Sequence, residues 1–367
     1  MKKKKIVYLL AAYVLLPGVF NSCSKDDNGE GGDDDKPAVV EKKDGVFILN
    51  RGNYNENNAS LAYYNLADKT MTPDVYRSVN GHGLGDSAEQ ILIYGSKMYV
   101  TVTSSNRIAI LDETGLLIKS IEPKDGTGAP MNPRRMAAND GKVYVGYYYG
   151  HSVAALDTAS LEVTATVAVG RYPEGLAVSG NKLYVANSGG LDYPDYGHTV
   201  SVVNLNSFTV EKEIEVALNP TRLAVGDNWE EVYLISMGNY GDVGNTLQHI
   251  DRSTGQVTQM GGGSIFTVSG LHLYVIHAQW GSTDITYRKY SIGTGTAVLL
   301  PEPFITDGTV IGSPSAIGVD PLDGKIYITD WAYGSTSTLY VFSPEGKLET
   351  KVETEGYDSG AIAFYHR

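Results

Sequence analysis

The segment YPEGLAVSGNKLYVAN, residues 172–187, contains two short apolar runs on either side of a polar turn. The run LAV (176–178) precedes the polar tip SGNK (179–182), and the run LYV (183–185) follows it. Short β-branched and aromatic runs joined by a tight turn with Gly and Asn are typical of a β-hairpin. The segment therefore predicts two antiparallel strands, and its significance comes from its repetition along the chain.

The second strand of this hairpin recurs seven times, each time with an aromatic residue between two aliphatic residues. The central aromatic residues are Phe47, Tyr99, Tyr144, Tyr184, Tyr233, Tyr274 and Tyr327. They lie 52, 45, 40, 49, 41 and 53 residues apart. Repeats of about 40 to 50 residues that consist only of strands are typical of β-propeller blades. We therefore predict that the six tyrosines of this set are core residues.

The first strand of the hairpin also recurs, and its distribution predicts how the repeats close. The copies are 89–93, 133–137, 173–177, 220–224, 264–268, 314–318 and 359–363. No first strand precedes the second strand at 46–48, and no second strand follows the first strand at 359–363. We therefore predict an all-β fold over residues 43–367, a seven-bladed β-propeller of four-stranded blades, with the C-terminal strand joining the N-terminal blade. This closure removes free sheet edges, and a pair of β-sandwiches would not explain the complementary ends.

The N-terminus has the pattern of a secretory signal, with basic residues at 2–5 and an apolar run at 6–16. The run is too short to span a bilayer. Cys23 is the only cysteine, so it has no disulfide partner within the chain. We predict that residues 1–22 are a lipoprotein signal peptide and that Cys23 is the lipidated residue. The alternative is a soluble secreted protein with an incidental thiol.

Residues 23–42 are predicted to be a flexible acidic tether, because they are rich in Asp and Gly. The motif SKDD (24–27) resembles the acidic export tag of surface-exposed lipoproteins of the Bacteroidetes. Removal of the signal leaves 25 basic and 42 acidic residues, a net charge of −17. Nucleic acids and anionic membrane surfaces require a basic face, so we exclude them as partners and expect membrane contact through the lipid alone.

The predicted loops between second and third strands differ from the opposite hairpin tips, such as GSK (95–97) and DGK (323–325), which are short. These loops are RGNYNENN (51–58), TSSN (103–106), GYYYG (146–150), NSGGLDYPDYGH (187–198), SMGNYGDVGN (236–245), HAQWGSTD (277–284) and DWAYGSTS (330–337). In a propeller they share one face with the starts of the inner strands. Long, unusual loops on one face indicate a functional surface.

The residue types on this face favour binding of a small ligand. Tyr and Trp combine a large ring with a hydrogen-bonding group, and together with Arg they are enriched in binding hot spots. The candidate ligand-binding residues are Arg51, Tyr54, Arg135, Tyr148, Arg171, Tyr193, Tyr196, Arg222, Tyr240, Trp280, Trp331 and Tyr333. A broad amphipathic ligand with a flat ring and many amide groups suits this set, as does a glycan or a peptide. Each Tyr on its own is equally compatible with packing between blades.

Catalytic motifs are absent from the sequence: there is no G-x-S-x-G elbow, phosphate-binding loop or H-E-x-x-H. We therefore predict a protein that is not an enzyme and has no cofactor or metal. The alternative is a metal-dependent hydrolase or lyase that uses Glu89, Glu174 or one of the face residues His151, His198 and His277. The neighbouring Arg residues oppose a cation there. A protein- or glycan-binding surface scaffold is a further alternative.

The sequences TVAVGRYPEGLAV (166–178) and LYVAN (183–187) resemble the YVTN-type propeller repeat of surface-layer and periplasmic proteins. The resemblance extends over residues 43–367 and is clearest around the third to fifth blades. Together with the lipoprotein signal, the chain resembles the Bacteroidetes propeller lipoproteins that capture cobalamin at the cell surface. The resemblance implies a lipid-anchored outer-membrane protein that faces the exterior. It also implies binding of cobalamin or another corrinoid, and its delivery to a TonB-dependent outer-membrane transporter.

Overall fold

The computed structural model describes residues 44–226, 231–279, 281–293, 297–332 and 334–366. The predicted signal peptide (1–22), the tether (23–42) with Cys23, and the candidate site residues Trp280 and Tyr333 lie outside these ranges. The described residues form seven four-stranded antiparallel sheets, which confirms the predicted seven-bladed β-propeller.

Each sheet is a blade whose strands follow one another from the central channel outward. The first blade contains β28 (Ser359–Tyr365), β1 (Gly45–Asn50), β2 (Ser60–Asn65) and β3 (Met71–Thr72). The second contains β4 (Ala88–Tyr94), β5 (Lys97–Val102), β6 (Arg107–Asp112) and β7 (Leu117–Ile121). The third contains β8 (Pro133–Asn139), β9 (Lys142–Tyr147), β10 (Ser152–Asp157) and β11 (Val163–Ala168). The fourth contains β12 (Pro173–Ser179), β13 (Lys182–Asn187), β14 (Thr199–Asn204) and β15 (Thr209–Glu215).

The remaining three blades have the same order. The fifth contains β16 (Pro220–Val225), β17 (Glu231–Ser236), β18 (Thr246–Asp251) and β19 (Val257–Gly261). The sixth contains β20 (Ile265–Ser269), β21 (His272–Ala278), β22 (Ile285–Ser291) and β23 (Val298–Leu299). The seventh contains β24 (Pro314–Val319), β25 (Ile326–Asp330), β26 (Thr338–Phe342) and β27 (Leu348–Glu353). The weak inner strand predicted at 264–268 therefore stays within the ring.

The ring closes through the first blade, as predicted. Each inner strand contacts the inner strand of the next blade, and β24 contacts β28. β28 pairs with β1 in antiparallel register, with Phe364 opposite Val46 and Ile362 opposite Ile48. The Ser359 hydroxyl donates a hydrogen bond of 2.5 Å to Asn50 Oδ1, a buried contact between the two ends of the described chain. The two termini of the described chain therefore complete one sheet.

The hydrophobic core lies between neighbouring blades, where the faces of the sheets meet. The six recurring tyrosines are buried, which confirms their predicted core role, and Phe47 at the matching position of the first blade is buried as well. Tyr99 of the second blade, for example, clusters with Met136 and Val143 of the third. Burial of a large side chain of this kind contributes about 1.5–3 kcal/mol. The recurring strand pattern thus positions each blade against the next.

One helix, α1 (Val75–Asn80), follows the short outer strand of the first blade. The Asp74 side chain caps it by accepting a hydrogen bond from the backbone N–H of Arg77. Val75 and Tyr76 are buried in the core between the first and second blades. Sequence periodicity does not reveal so short a helix. No helix in the described part of the chain has the length and hydropathy required to cross a lipid bilayer.

Gly175 allows two inner strands to approach closely at the channel. A β-carbon at this position would lie 2.7 Å from the backbone nitrogen of Leu223 and 2.9 Å from the carbonyl oxygen of Thr221. Both atoms belong to the main chain of β16, so they cannot turn away as a flexible side chain can. The spacing between the fourth and fifth blades therefore depends on the absence of a side chain at position 175.

We expect the substitution Gly175→Ala to lower the free energy of unfolding by about 1–3 kcal/mol, because the added methyl group overpacks the channel wall. Gly126→Ala is the matched control, since a β-carbon there meets no atom within 4 Å. Urea denaturation, monitored by circular dichroism, measures the free energy of unfolding of both variants and of the wild type. Equal stability of the two variants would show that the strands can separate without strain.

Candidate binding site at the channel mouth

The charged residues of the site sit on β-bulges at the starts of inner strands. The register of the inner hairpin shifts between Ala88 and Gln90, between Pro133 and Met136, and between Pro173 and Leu176. The extra residues in these bulges are Glu89, Arg134, Arg135, Glu174 and Gly175. A bulge changes the direction of a side chain without ending the strand. The bulges thus bring four charged side chains to the mouth of the channel.

Two buried glutamates, from the second and fourth blades, are held by arginines of the first and third blades. Glu89 accepts hydrogen bonds from Arg134 Nη1 at 2.7 Å and from Arg51 Nε at 3.3 Å. Arg134 Nε donates to both carboxylate oxygens of Glu174 at 3.0 Å, and its Nη2 lies 2.9 Å from Oε1. Arg51 Nη1 in turn donates to Asp358 Oδ1 at 3.0 Å. Arg134 therefore links the second, third and fourth blades across the channel.

The guanidinium groups determine the protonation of Glu89. Burial alone would raise the pKa of this carboxyl, but Arg134, Arg51 and Arg135 outweigh burial and lower the pKa to about 2. Burial likewise opposes the charged form of Arg134, and the carboxylates of Glu174 and Glu89 reverse that effect and raise its pKa. Such pairs are stable only because each charge keeps its partner.

Arg222 differs from the other channel arginines. Among the described residues, no hydrogen bond or ion pair engages its guanidinium. Burial and repulsion from Arg135 and Arg51 lower its pKa to about 9, so it is charged at neutral pH. Arg135 is weakly engaged, with Nη1 donating to the Glu89 carbonyl at 3.1 Å and Nη2 lying 3.8 Å from its carboxylate.

The mouth forms a depression of about 320 Å³ that includes Arg51, Arg135, Arg222 and Tyr240 in its lining. A second depression of about 540 Å³ shares Arg51, Glu89 and Asp358 with it and extends to Tyr54 and Trp331. The two are therefore contiguous. Six of the predicted site residues, Arg51, Tyr54, Arg135, Arg222, Tyr240 and Trp331, line this combined surface.

The aromatic residues of the face fall into exposed and supporting groups. Tyr54, Tyr193 and Tyr240 are exposed, at 75%, 76% and 55% of their maximum areas. Tyr148 is buried, with the Arg134 guanidinium 4.9 Å from its ring centre. Tyr196 is also buried, and its ring centre lies 6.3 Å from that of Tyr240. Tyr148 and Tyr196 therefore support the surface, whereas the exposed rings are free to contact a ligand.

Arg171 lies at the rim of the face and not at the channel mouth, although the sequence analysis named it together with the arginines that line the channel. Its guanidinium pairs with the Asp192 carboxylate, and Nη2 donates to the Asp195 carbonyl at 3.4 Å. These contacts hold the loop at 188–198, which also presents Tyr193. The reason is local geometry, since Arg171 precedes β12 and is not part of its bulge.

Several residues of the site were not among the sequence candidates. Asp358 and Ser315 complete the ion network around Arg51, and Tyr149 and Tyr172 surround Tyr148 at ring distances of 5.4 and 5.0 Å. Asp358 and Ser315 lie next to, or within, the predicted first strands 359–363 and 314–318. Their position at the starts of inner strands could have indicated that they belong to the site. Their proximity to Arg51, however, arises only from the closure of the ring.

The histidines named as alternative catalytic residues have separate roles. His151 Nδ1 accepts a hydrogen bond from the backbone N–H of Tyr172 at 3.1 Å. His198 Nε2 lies 3.2 Å from a carboxylate oxygen of Glu215 on the outer strand of the fourth blade. In the described ranges, no group of three or more His, Cys, Asp and Glu side chains is arranged to hold a metal ion.

Comparison with known proteins assigns residues 44–366 to one family. The profile of the family described as "Domain of unknown function (DUF5074)" matches that range. A comparison with curated proteins found no match.

Three solved structures illustrate the likeness in fold. A quinonprotein alcohol dehydrogenase-like protein from Bacteroides thetaiotaomicron is 20% identical, with a TM-score of 0.62 over 87% of this chain and 78% of that one. A candidate 6-phosphogluconolactonase from Bacteroides uniformis is 13% identical, with a TM-score of 0.62 over 88% of this chain and 100% of that one. A functionally unknown protein from Desulfotomaculum acetoxidans is 11% identical, with a TM-score of 0.62 over 89% of this chain and 99% of that one. At these identities the similarity concerns the fold alone.

The pKa of Glu89 predicts an acid-sensitive contribution to stability. A carboxyl whose pKa is lowered in the folded protein stabilises it above the pKa of the unfolded chain, and this stability is lost as the pH falls toward 2. We expect Glu89→Gln to remove about 3 kcal/mol of stability at neutral pH and to flatten the stability profile between about pH 4.5 and 2.

Glu353→Gln, at an exposed position on an outer strand, is the control and should leave the profile unchanged. Chemical denaturation at a series of pH values measures all three proteins. Parallel profiles for Glu89→Gln and the wild type would contradict the role assigned to the arginines.

Proposed function

We propose that this chain, which belongs to the DUF5074 family, is a binding protein that takes a small amphipathic ligand onto the loop face of its propeller. The observation that carries the proposal is the continuous surface formed by the two depressions at the channel mouth. Its lining combines guanidinium groups with aromatic rings from the first, fifth and seventh blades.

The chemistry of this surface suits a ligand with a flat apolar part and many oxygen acceptors. Tyr54, Tyr240 and Trp331 offer apolar ring area together with hydrogen-bonding groups. Arg135 and Arg222 line the same depression as Tyr240 and keep N–H donors that intramolecular carboxylates do not fully engage. A ligand with amide or phosphate oxygens near its ring would meet both features at once.

Cobalamin, or another corrinoid, is the ligand that we propose on the basis of the sequence resemblance. A corrinoid has a large flat macrocycle and many amide side chains, which fit aromatic walls and arginine donors. In the same proposal Cys23 carries a lipid that anchors the protein to the outer membrane, facing the exterior. The ligand then passes to a TonB-dependent transporter. These steps rest on the resemblance and on the N-terminal sequence.

The enzymatic alternative fits the channel mouth less well. A metal-dependent hydrolase or lyase would use Glu89 or Glu174 as ligands to a cation. Both carboxylates accept hydrogen bonds from guanidinium groups, and the surrounding positive charge opposes a metal ion. The likeness to a candidate 6-phosphogluconolactonase extends to the fold only. We therefore propose a role in binding rather than in catalysis.

Titration with cobalamin and cobinamide, followed by corrin absorbance and calorimetry, tests the proposal. We expect the full chain to bind, and we expect Tyr240→Ala and Trp331→Ala each to weaken binding by about 2 kcal/mol, since both remove an aromatic contact at the site. Leu322→Ala, which truncates an exposed side chain on the opposite face, should bind as the wild type does.

Absence of binding at millimolar corrinoid would refute the corrinoid assignment. Binding that is equally strong in all variants would place the ligand elsewhere on the protein. Glycan and peptide arrays would then test the scaffold alternative on the same set of variants.

A further inference from the structure

The channel contains more positive than negative charge. Four guanidinium groups, those of Arg51, Arg134, Arg135 and Arg222, lie at its mouth with three carboxylates, those of Glu89, Glu174 and Asp358. The chain as a whole has a net charge of −13, so this local excess opposes the average of the sequence. A cationic channel in an acidic protein requires a specific explanation.

The guanidinium groups that the carboxylates neutralise least are those of Arg222 and Arg135. The three carboxylates are engaged by Arg51 and Arg134 at distances of 2.7–3.3 Å, whereas Arg135 lies 3.8 Å from the Glu89 carboxylate. Arg222 has no hydrogen bond or ion pair with any described residue. A guanidinium group that is partly removed from water and makes no direct ion pair is unfavourable in the absence of a ligand.

The space around these two arginines is sufficient for a small anion. Arg135 and Arg222 line the mouth depression and also a third depression, of about 320 Å³, that continues along the inner strands. Gln90, Thr221 and Thr267 add polar side chains to its lining. Gly175 and Leu176 also belong to this lining. The two guanidinium groups thus lie where the mouth leads into the channel.

We propose that the channel between Arg135 and Arg222 is an oxyanion-binding site that takes a phosphate or carboxylate group. The planar N–H fork of Arg matches the oxygen geometry of both groups, and charge-assisted hydrogen bonds of this kind are stronger than neutral ones. The anion neutralises the excess charge and occupies the donors that Glu89 and Glu174 leave free. The site uses two arginines of the proposed binding surface, but it does not require a corrinoid, because an oxyanion needs neither a macrocycle nor the exposed tyrosines.

The oxyanion has two possible sources: a free ion, or an anionic group of a larger ligand whose remainder lies on the loop face. Phosphate and phenyl phosphate distinguish them. A site for a free ion binds both with equal affinity. A site for a tethered group binds phenyl phosphate more tightly, and Tyr240→Ala removes the difference, because Tyr240 lies beside the arginines in the same depression.

The experiment is calorimetric titration of the full chain with sodium phosphate in a chloride-free buffer of low ionic strength, with thermal unfolding in parallel. We expect binding and a phosphate-dependent rise in Tm. Arg222→Met should weaken phosphate binding by at least about tenfold and abolish the rise in Tm. Arg222→Lys keeps the charge without the planar fork, so its affinity for phosphate should lie between those of the wild type and Arg222→Met.

Arg222→Met breaks no ion pair in the described structure, so we expect it to fold and, without phosphate, to be at least as stable as the wild type. Lys347→Met is the control for a loss of charge, since Lys347 is exposed in a turn on the opposite face. Absence of phosphate binding to the wild type at millimolar concentration would overturn the proposal. So would equal binding by the Arg222→Met and Lys347→Met variants.

Discussion

The convergence of seven inner strands on one channel is the constraint on which the other features of this protein depend. Each sheet buries both faces against its neighbours, so the sheets must stand around an axis and their inner edges must crowd together. The crowding requires small residues at particular points, and Gly175 is the clearest case, since its α-carbon faces the main chain of β16. In the same geometry the first blade is built from strands near both ends of the described chain, because β28 pairs with β1 and would otherwise leave a free sheet edge.

The channel mouth is where close packing of apolar side chains ends and charged residues replace it. β-Bulges at the starts of the inner strands place Glu89, Arg134 and Glu174 side by side, and their mutual pairing makes burial of the charges tolerable. Arg134 contributes most, because it bridges two glutamates on different blades and also lies over the ring of Tyr148. The ion network therefore joins the blades and at the same time orients the surface around it. A surface that is fixed in this way is suited to binding, because little has to be ordered when a ligand arrives.

The fold was predictable from the sequence because its signal is repeated. A single hairpin such as residues 172–187 fits many architectures, but seven copies with complementary ends fit a closed ring. The candidate site was predictable in part. Arg51, Arg135, Arg222 and Tyr240 were named and share one depression, since loop and strand position determine the face on which they lie. Arg171 and the buried Tyr148 and Tyr196 were named with them, although Arg171 holds a loop at the rim and the two tyrosines support the surface from below.

The number of blades, the buried tyrosine of six of them and the face that carries the long loops were predictable from the amino-acid sequence. These features are local or periodic, so each copy of the repeat has the same environment. Which charges pair, in contrast, depends on the three-dimensional fold. Glu89, Arg134 and Arg51 are distant in the chain, and their contacts depend on the curvature of the ring and on bulges that shift the register by one or two residues. Arg222 has no partner among the described residues, and this is a property of that arrangement. The composition of the chain, with its excess of acidic residues, would have predicted a carboxylate partner for it.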